Sequence, residues 1–307
     1  VHLDLVGPTI ESIEGHTGAA IARDRATGFP YVGTLVDKAP SSVLSFWREH
    51  FPGYTSENRA PREVYCDNGG EFQREFRRWL EDHGTKLLHS LPNVPSTNAW
   101  EERFHYTVEQ AVRASMAMAG APLRFWSYCL RHVIYNIARK EDSQGRNPYV
   151  ERFGRNPVTT LVPWGCRVVY KDPDASKFQP PGKEGVVLEY STHGAVKLLD
   201  LKHYLDTKGG IHTRVTRDIT IHPESFPFKT VQQEHPGHEN WTFTMLSLGR
   251  VDMDWRVDTK GRVICMKLVN GAPCGKYVTN DEITGQYCLK GKPHGRGKPG
   301  YGCKRAR

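Results

Sequence analysis

The sequence predicts an α/β fold: a mixed sheet flanked by helices, followed by a smaller β-rich region. Three observations predict it. Residues 1–90 alternate strand-like runs with helical spacing in the order βββαβαβ. Two longer amphipathic stretches then reach about residue 139. From residue 163 the apolar runs shorten, and Gly, Pro and Asp punctuate them. Three leading strands before the first helix are not the regular alternation of a doubly wound parallel sheet.

The elements follow in order. Val1–Val6, Ala19–Arg23 and Tyr31–Val36 read as strands, with turn chemistry at Thr27-Gly28. Ser41 or Ser42 is expected to cap a helix whose apolar face is Val43, Phe46, Trp47 and Phe51. Glu63–Cys66 is a fourth strand, and Phe72, Phe76, Trp79, Leu80 and His83 fall at helical spacing before Gly84. Lys86–His89 is the fifth strand. Leu91–Thr97 holds two prolines and reads as a loop. Asn98 can then cap a helix to about Met118, and Pro122 opens another through Arg139. Arg167–Tyr170, Gly185–Leu188, Ala195–Asp200 and Ile219–Ile221 suggest a small β-barrel. Phe226–Asn240, rich in Pro, His and Gln, reads as a linker, and Trp241–Leu248 and Trp255–Cys265 as a further β-like pair.

A chain of 307 residues, 38% hydrophobic, can bury a core in two or three domains. No apolar run approaches the roughly 18 residues of a membrane helix, so no membrane partner is expected. No signal-peptide pattern is present. The chain starts with Val inside a strand-like run, which suggests a fragment of a longer polypeptide. A net charge of +8 suits a polyanionic partner. Cys66, Cys129 and Cys166 stand alone in apolar contexts and read as reduced core residues.

Three pieces place carboxylates where a fold must hold them deliberately. Asp4 interrupts the first strand, in His2-Leu3-Asp4-Leu5-Val6-Gly7-Pro8. Asp67 ends the fourth, in Tyr65-Cys66-Asp67-Asn68-Gly69-Gly70-Glu71-Phe72. Glu102 opens a helix, in Asn98-Ala99-Trp100-Glu101-Glu102-Arg103. Singly, each has a plainer reading: an edge-strand charge, an Asx turn, a first-turn acid favoured by the helix dipole. Together, two neighbouring strands and a helix across their ends could converge three oxygen donors. Such a set suits two Mg²⁺ or Mn²⁺ ions and in-line phosphoryl transfer on nucleic acid.

These pieces resemble the integrase of Copia-type (Ty1/Copia) LTR retrotransposons, whose motifs read H-x-D-L-x-G-P, D-N-G-x-E-F and N-G-x-x-E-R. Glu102 matches by its following Arg103, with Ala99 in place of the family's Gly and Glu101 as an extra acid. The 34 residues between Asp67 and Glu102 are one short of the usual spacing. The resemblance continues through Pro122-Leu123-Arg124-Phe125-Trp126, Asn147-Pro148-Tyr149, Phe153-Gly154-Arg155-Asn156-Pro157, Trp164-Gly165-Cys166, Lys177-Phe178-Gln179-Pro180, Lys183–Ser191 and Thr216-Arg217-Asp218-Ile219.

It implies an RNase H-like catalytic core over 1–150 and an SH3-like barrel over 151–228; composition adds a linker over 229–240 and a Cys-rich module over 241–307. The resemblance further implies catalysis by Asp4, Asp67 and Glu102 with two Mg²⁺ or Mn²⁺ ions. Element ends and target DNA would be the partners, 3′-end processing and strand transfer the reaction, a homo-oligomer the assembly, and the nucleus the compartment. Asn98 and Arg103, flanking the Glu, are expected to contact DNA. A decayed or domesticated DNA-binding protein and a hydrolytic RNase H-like nuclease are the competing readings.

The last 45 residues carry Cys265, Cys274, Cys288 and His294, the residue types of a tetrahedral zinc site, with Cys303 a rival fourth ligand. The plainer reading is reduced cysteines. After Glu282 no acidic residue occurs while Lys and Arg accumulate, which suits phosphate contacts.

Overall fold

A computed structural model describes residues 1–7, 9–51, 61–89, 99–172, 175–178, 181–207 and 209–234, and short strands beyond. The chain divides into two compact units, 1–242 and 243–307.

Five strands open the first unit: β1 (His2–Val6), β2 (Gly18–Arg23), β3 (Pro30–Leu35), β4 (Glu63–Cys66) and β5 (Lys86–His89). They form one mixed sheet in the order β3-β2-β1-β4-β5. β1, β2 and β3 are antiparallel neighbours, while β4 runs parallel to β1 and β5 parallel to β4. This is the mixed sheet expected from residues 1–90.

Side chains alternate across the pleat, so each strand feeds two cores. Leu3, Ala20, Ala22 and Val64 point into one cluster. There they meet Val43, Phe46 and Trp47 of α1 (Pro40–His50) and Phe76 and Leu80 of α2 (Glu75–Asp82). Ala19 and Ile21 point to the other face, against Phe104 and Val108 of α3 (Ala99–Ala119) and Leu130 and Ile134 of α4 (Trp126–Arg139). The result is three layers, with Asp4 facing the α3–α4 side opposite Ile21.

Several local expectations need correction. α1 starts at Pro40, with Ala39 rather than a serine at its N-cap. Ser42 instead donates to Asp37, whose carboxylate also accepts from the Ala39 amide. Phe72 lies in a 3-10 turn over Gly70–Phe72, and Arg74, at φ +54°, separates that turn from α2. A short helix, α5 (Pro148–Phe153), was not foreseen.

A second sheet follows, antiparallel throughout: β6 (Arg167–Lys171), β7 (Gly182–Tyr190), β8 (Val196–Asp200), β9 (Thr213–Thr216) and β10 (Ile219–His222), in the order β10-β6-β7-β8-β9. The expected small barrel therefore takes the form of a five-stranded sheet, and its end strands β9 and β10 do not pair among the described residues. β9 and the helix α6 (Leu201–Asp206) were not foreseen. The expected linker begins inside a helix, α7 (Pro227–Glu234), whose Phe228 is buried against Phe125. Residues 235–240 lie outside the described residues.

α4 is shared by both sheets. Arg131, on α4, donates to Glu14 of the β1–β2 loop, to Thr34 on β3 and to Glu189 on β7. Lys197 on β8 adds a second cation against Glu189.

In the unit 243–307, three antiparallel pairs are described: β11 (Trp255–Val257) with β12 (Val263–Cys265), β13 (Leu268–Val269) with β14 (Ala272–Pro273), and β15 (Tyr287–Cys288) with β16 (Lys292–Pro293). Trp241–Leu248 lies outside the described residues.

Candidate active site

β1 and β4 position the first two carboxylates. His2 pairs with Tyr65 in the parallel register. Asp4 lies two residues further along β1, and Asp67 two residues further along the chain, just past the end of β4. Asp4 is part-exposed, and its Oδ1 accepts from the Leu5 amide at 2.8 Å. Asp67 is exposed, and its Oδ1 accepts from the Gly69 amide at 2.9 Å, an Asx turn that ends the strand.

The backbone at Asp67 is also held. His89 Nδ1 donates to the Asp67 carbonyl at 2.9 Å, and Arg77 donates to His89 Nε2 at 3.0 Å. Both contacts are satisfied together by a neutral His89 carrying its proton on Nδ1. A Cβ at Gly69 would meet the Glu71 carboxyl group at 2.5 Å, so a larger residue there would displace the Glu71 side chain.

These acids share one electrostatic neighbourhood. Burial pushes the Cys66 thiol up to about 12, helped by the charges of Asp67, Glu71 and Asp4 and opposed by Arg77. Glu71 was not singled out as a site residue from the sequence, although it lies in the same motif.

α3 lies over Asp4. Its buried stripe runs Glu101, Phe104, His105, Val108, at helical spacing. Glu101 is 3% exposed, and its Oε1 has no hydrogen-bond partner among the described residues. Burial raises its carboxyl to about 7, with the Asp4 charge adding and Arg23 opposing. His105 Nε2 stands 3.7 Å from Asp4 Oδ2, too long for a hydrogen bond. Burial lowers the His105 pKa, while the Asp4 and Glu109 charges pull it back up.

The sequence-predicted residues are thus distributed unevenly. Asp4 and Asp67 each follow the paired residues His2 and Tyr65 by two positions. Glu102 is on the same first turn of α3, exposed, beside the stripe that carries Glu101 against Asp4. Arg103 is exposed. Asn98 lies outside the described residues. Among the described residues, no three His, Cys, Asp or Glu side chains stand as a ready metal cluster. The donors at hand are nonetheless hard oxygens of the kind Mg²⁺ and Mn²⁺ take, and the orphaned Glu101 oxygen next to Asp4 leaves an acceptor to satisfy.

Of the candidate zinc ligands, Cys265 ends β12 and Cys288 ends β15, while Cys274 and His294 lie outside the described residues. Cys66, Cys129 and Cys166 are buried. No helix among the described residues is long and apolar enough to cross a membrane.

No family model matches the chain. It is 29% identical over 153 residues to an uncharacterized 39.2 kDa protein of insertion element IS476 from Xanthomonas euvesicatoria, a match covering 47% of this chain. The chain spans only 38% of that relative's length. The crystal structure of the catalytic core domain of BIV integrase aligns with 48% of this chain and 89% of its own, at 14% identity and a TM-score of 0.38. A likeness that loose decides nothing about this chain.

Proposed function

We propose that this chain is a DNA integrase of the Copia type, a polynucleotidyl transferase with an RNase H-like core that trims element 3′ ends and joins them to target DNA. The observation that carries this reading is the parallel pairing of β1 and β4 at His2 and Tyr65, each two residues before a candidate aspartate. The similarity to an insertion-element protein supports the same class of reaction.

In this reading Asp4, Asp67 and Glu102 hold two Mg²⁺ or Mn²⁺ ions. When bound, such ions generate the attacking oxygen's charge and stabilise the leaving oxygen. Asp4 is fixed by its strand and Asp67 by its Asx turn and the Arg77–His89 chain. Gly69 and Gly70 let the sugar–phosphate backbone come close. Glu102, exposed, is free to swing toward bound substrate, while Glu101 belongs to the packed stripe. Arg103, exposed on the first turns of α3, and Asn98 contact DNA in this reading. In the C-terminal unit, Cys265, Cys274, Cys288 and His294 hold one structural zinc ion.

The test is incubation of the protein with a terminal-repeat oligonucleotide, target DNA and Mn²⁺. Strand-transfer products, lost in Asp67→Asn while DNA binding persists, are expected. Bare nicks would select a hydrolytic nuclease, and a gel shift without chemistry a DNA-binding protein that has lost its activity.

A further inference from the structure

Beside the carboxylates runs a row of rings that the chemistry above does not use. The His2 ring stacks on Tyr65, centroids 5.0 Å apart at 14°. It meets Trp100 edge-on at 5.7 Å. Each ring precedes a site carboxylate by two residues: His2 before Asp4, Tyr65 before Asp67, Trp100 before Glu102. On β1 that offset means the same face, one pleat back. The row therefore crosses from β4 over β1 to α3 alongside the carboxylates.

Trp100 is the outer member. It remains 41% exposed, although His2 beneath it is only 6% exposed. Arg23 lies 3.7 Å from the Trp100 ring centroid and 4.3 Å from that of Phe104, one helical turn on. The guanidinium thus braces the indole from one side and leaves ring surface to solvent. Arg25 adds a second cation, close enough that its charge disfavours protonation of His2, whose pKa burial already lowers. His2 Nε2 has no hydrogen-bond partner among the described residues. A braced, exposed indole beside a guanidinium group is the arrangement by which proteins hold unpaired bases: a π-face for the base and positive charge for its phosphate.

The geometry points to a base-stacking platform in which Trp100, braced by Arg23 and His2, holds one unpaired base of a DNA end beside Asp4 and Asp67. The inference rests on the reading of DNA as substrate, but it needs no chemistry to be tested.

The full chain is mixed, in EDTA, with a blunt duplex and with the same duplex bearing a short overhang that carries 2-aminopurine. The overhang DNA is expected to bind roughly tenfold tighter than the blunt one, the order of one stacked base, with its fluorescence quenched. Trp100→Leu, which keeps apolar bulk without a π-face, should lose the preference and the quenching while retaining blunt-duplex affinity. Trp100→Phe should keep most of both. Equal binding of the two DNAs by the wild type without quenching overturns the platform alone, as does unchanged quenching in Trp100→Leu. Should Trp100→Leu melt early, the wild-type preference and Trp100→Phe still decide. Failure to bind either DNA removes the DNA reading and the platform with it.

Discussion

Glu101 and His105, one turn apart on α3, both feel the Asp4 charge, and His105 Nε2 approaches Asp4 Oδ2 to 3.7 Å. Glu102, whose following arginine fits the family motif, lies outside that packed stripe. The two adjacent acids therefore have separable roles. Glu102→Gln is expected to remove strand transfer by at least about a hundredfold, since losing a metal ligand withdraws several kcal/mol of transition-state stabilisation. Glu101→Gln should keep activity within about tenfold. Single-turnover rates of the two variants decide it, and the reverse ranking transfers the catalytic role to Glu101.

Glu101 also predicts a pH dependence. Its carboxyl titrates near 7 in the fold, against about 4.3 in an unfolded chain. Between these values the folded state binds more protons than the unfolded one, so stability falls as pH rises across that window. The contribution is fully present below the unfolded value and is lost as pH passes through about 7. Urea melts at pH 5 and pH 7.5 should differ by about 1–3 kcal/mol from this source. The Glu101→Gln protein should show that much less dependence, and identical pH profiles for the two proteins would rule the assignment out.

Arg131 should be hard to replace. Arg131→Met leaves Glu14 and Glu189 without their shared cation, though Lys197 still faces Glu189. A loss of roughly 2–4 kcal/mol is expected, less than a fully buried pair would cost. The thermal midpoint reports it. A melting curve within a degree of wild type would show that the network contributes nothing net.

Arg103 is expected to act as a phosphate contact. Arg103→Ala should weaken binding to unrelated DNA sequences equally and reduce the slope of log affinity against log salt by about 1. Affinity measured at several salt concentrations checks this. An unchanged slope assigns Arg103 to the protein surface alone.

Zinc can be assayed directly on the full chain. One equivalent is expected in the wild type, and none in Cys274→Ser. Metal-free protein, with the C-terminal unit as protease-resistant as before, would return the four ligands to ordinary reduced residues.

Much of the first sheet was legible because its signals are local. Short strand-like runs marked β1 to β5, whereas alternation fixes faces and leaves the register of β1 and β4 to the fold. The caps were less well read. Asn147-Pro148, with Asn147 accepting from the Tyr149 and Val150 amides, and Gly154 at φ +65° frame α5 as start and stop residues, although the segment is too short to show a helical repeat. α7 was hidden by composition, for its buried Phe228 finds its partner in Phe125, about a hundred residues earlier. The orientation of Glu101 was readable in principle from the Glu101–Phe104–Val108 spacing. The motif match drew attention instead to its neighbour. Nothing in the sequence pairs Arg23 with Trp100, because that contact depends on how α3 crosses the sheet.

The sharing of α4 bears on how this protein can be dissected. A truncation near residue 150, the natural choice for isolating a catalytic fragment, would strip β7 from the helix face that carries Arg131, His132 and Tyr135. Tyr190, which stacks on both His132 and Tyr135, would leave with it. The orphaned face would present bare rings to water, and Arg131 would keep Glu14 but lose Glu189. Such a fragment should be sparingly soluble or self-associating, and a soluble minimal enzyme has to run through β10 and α7.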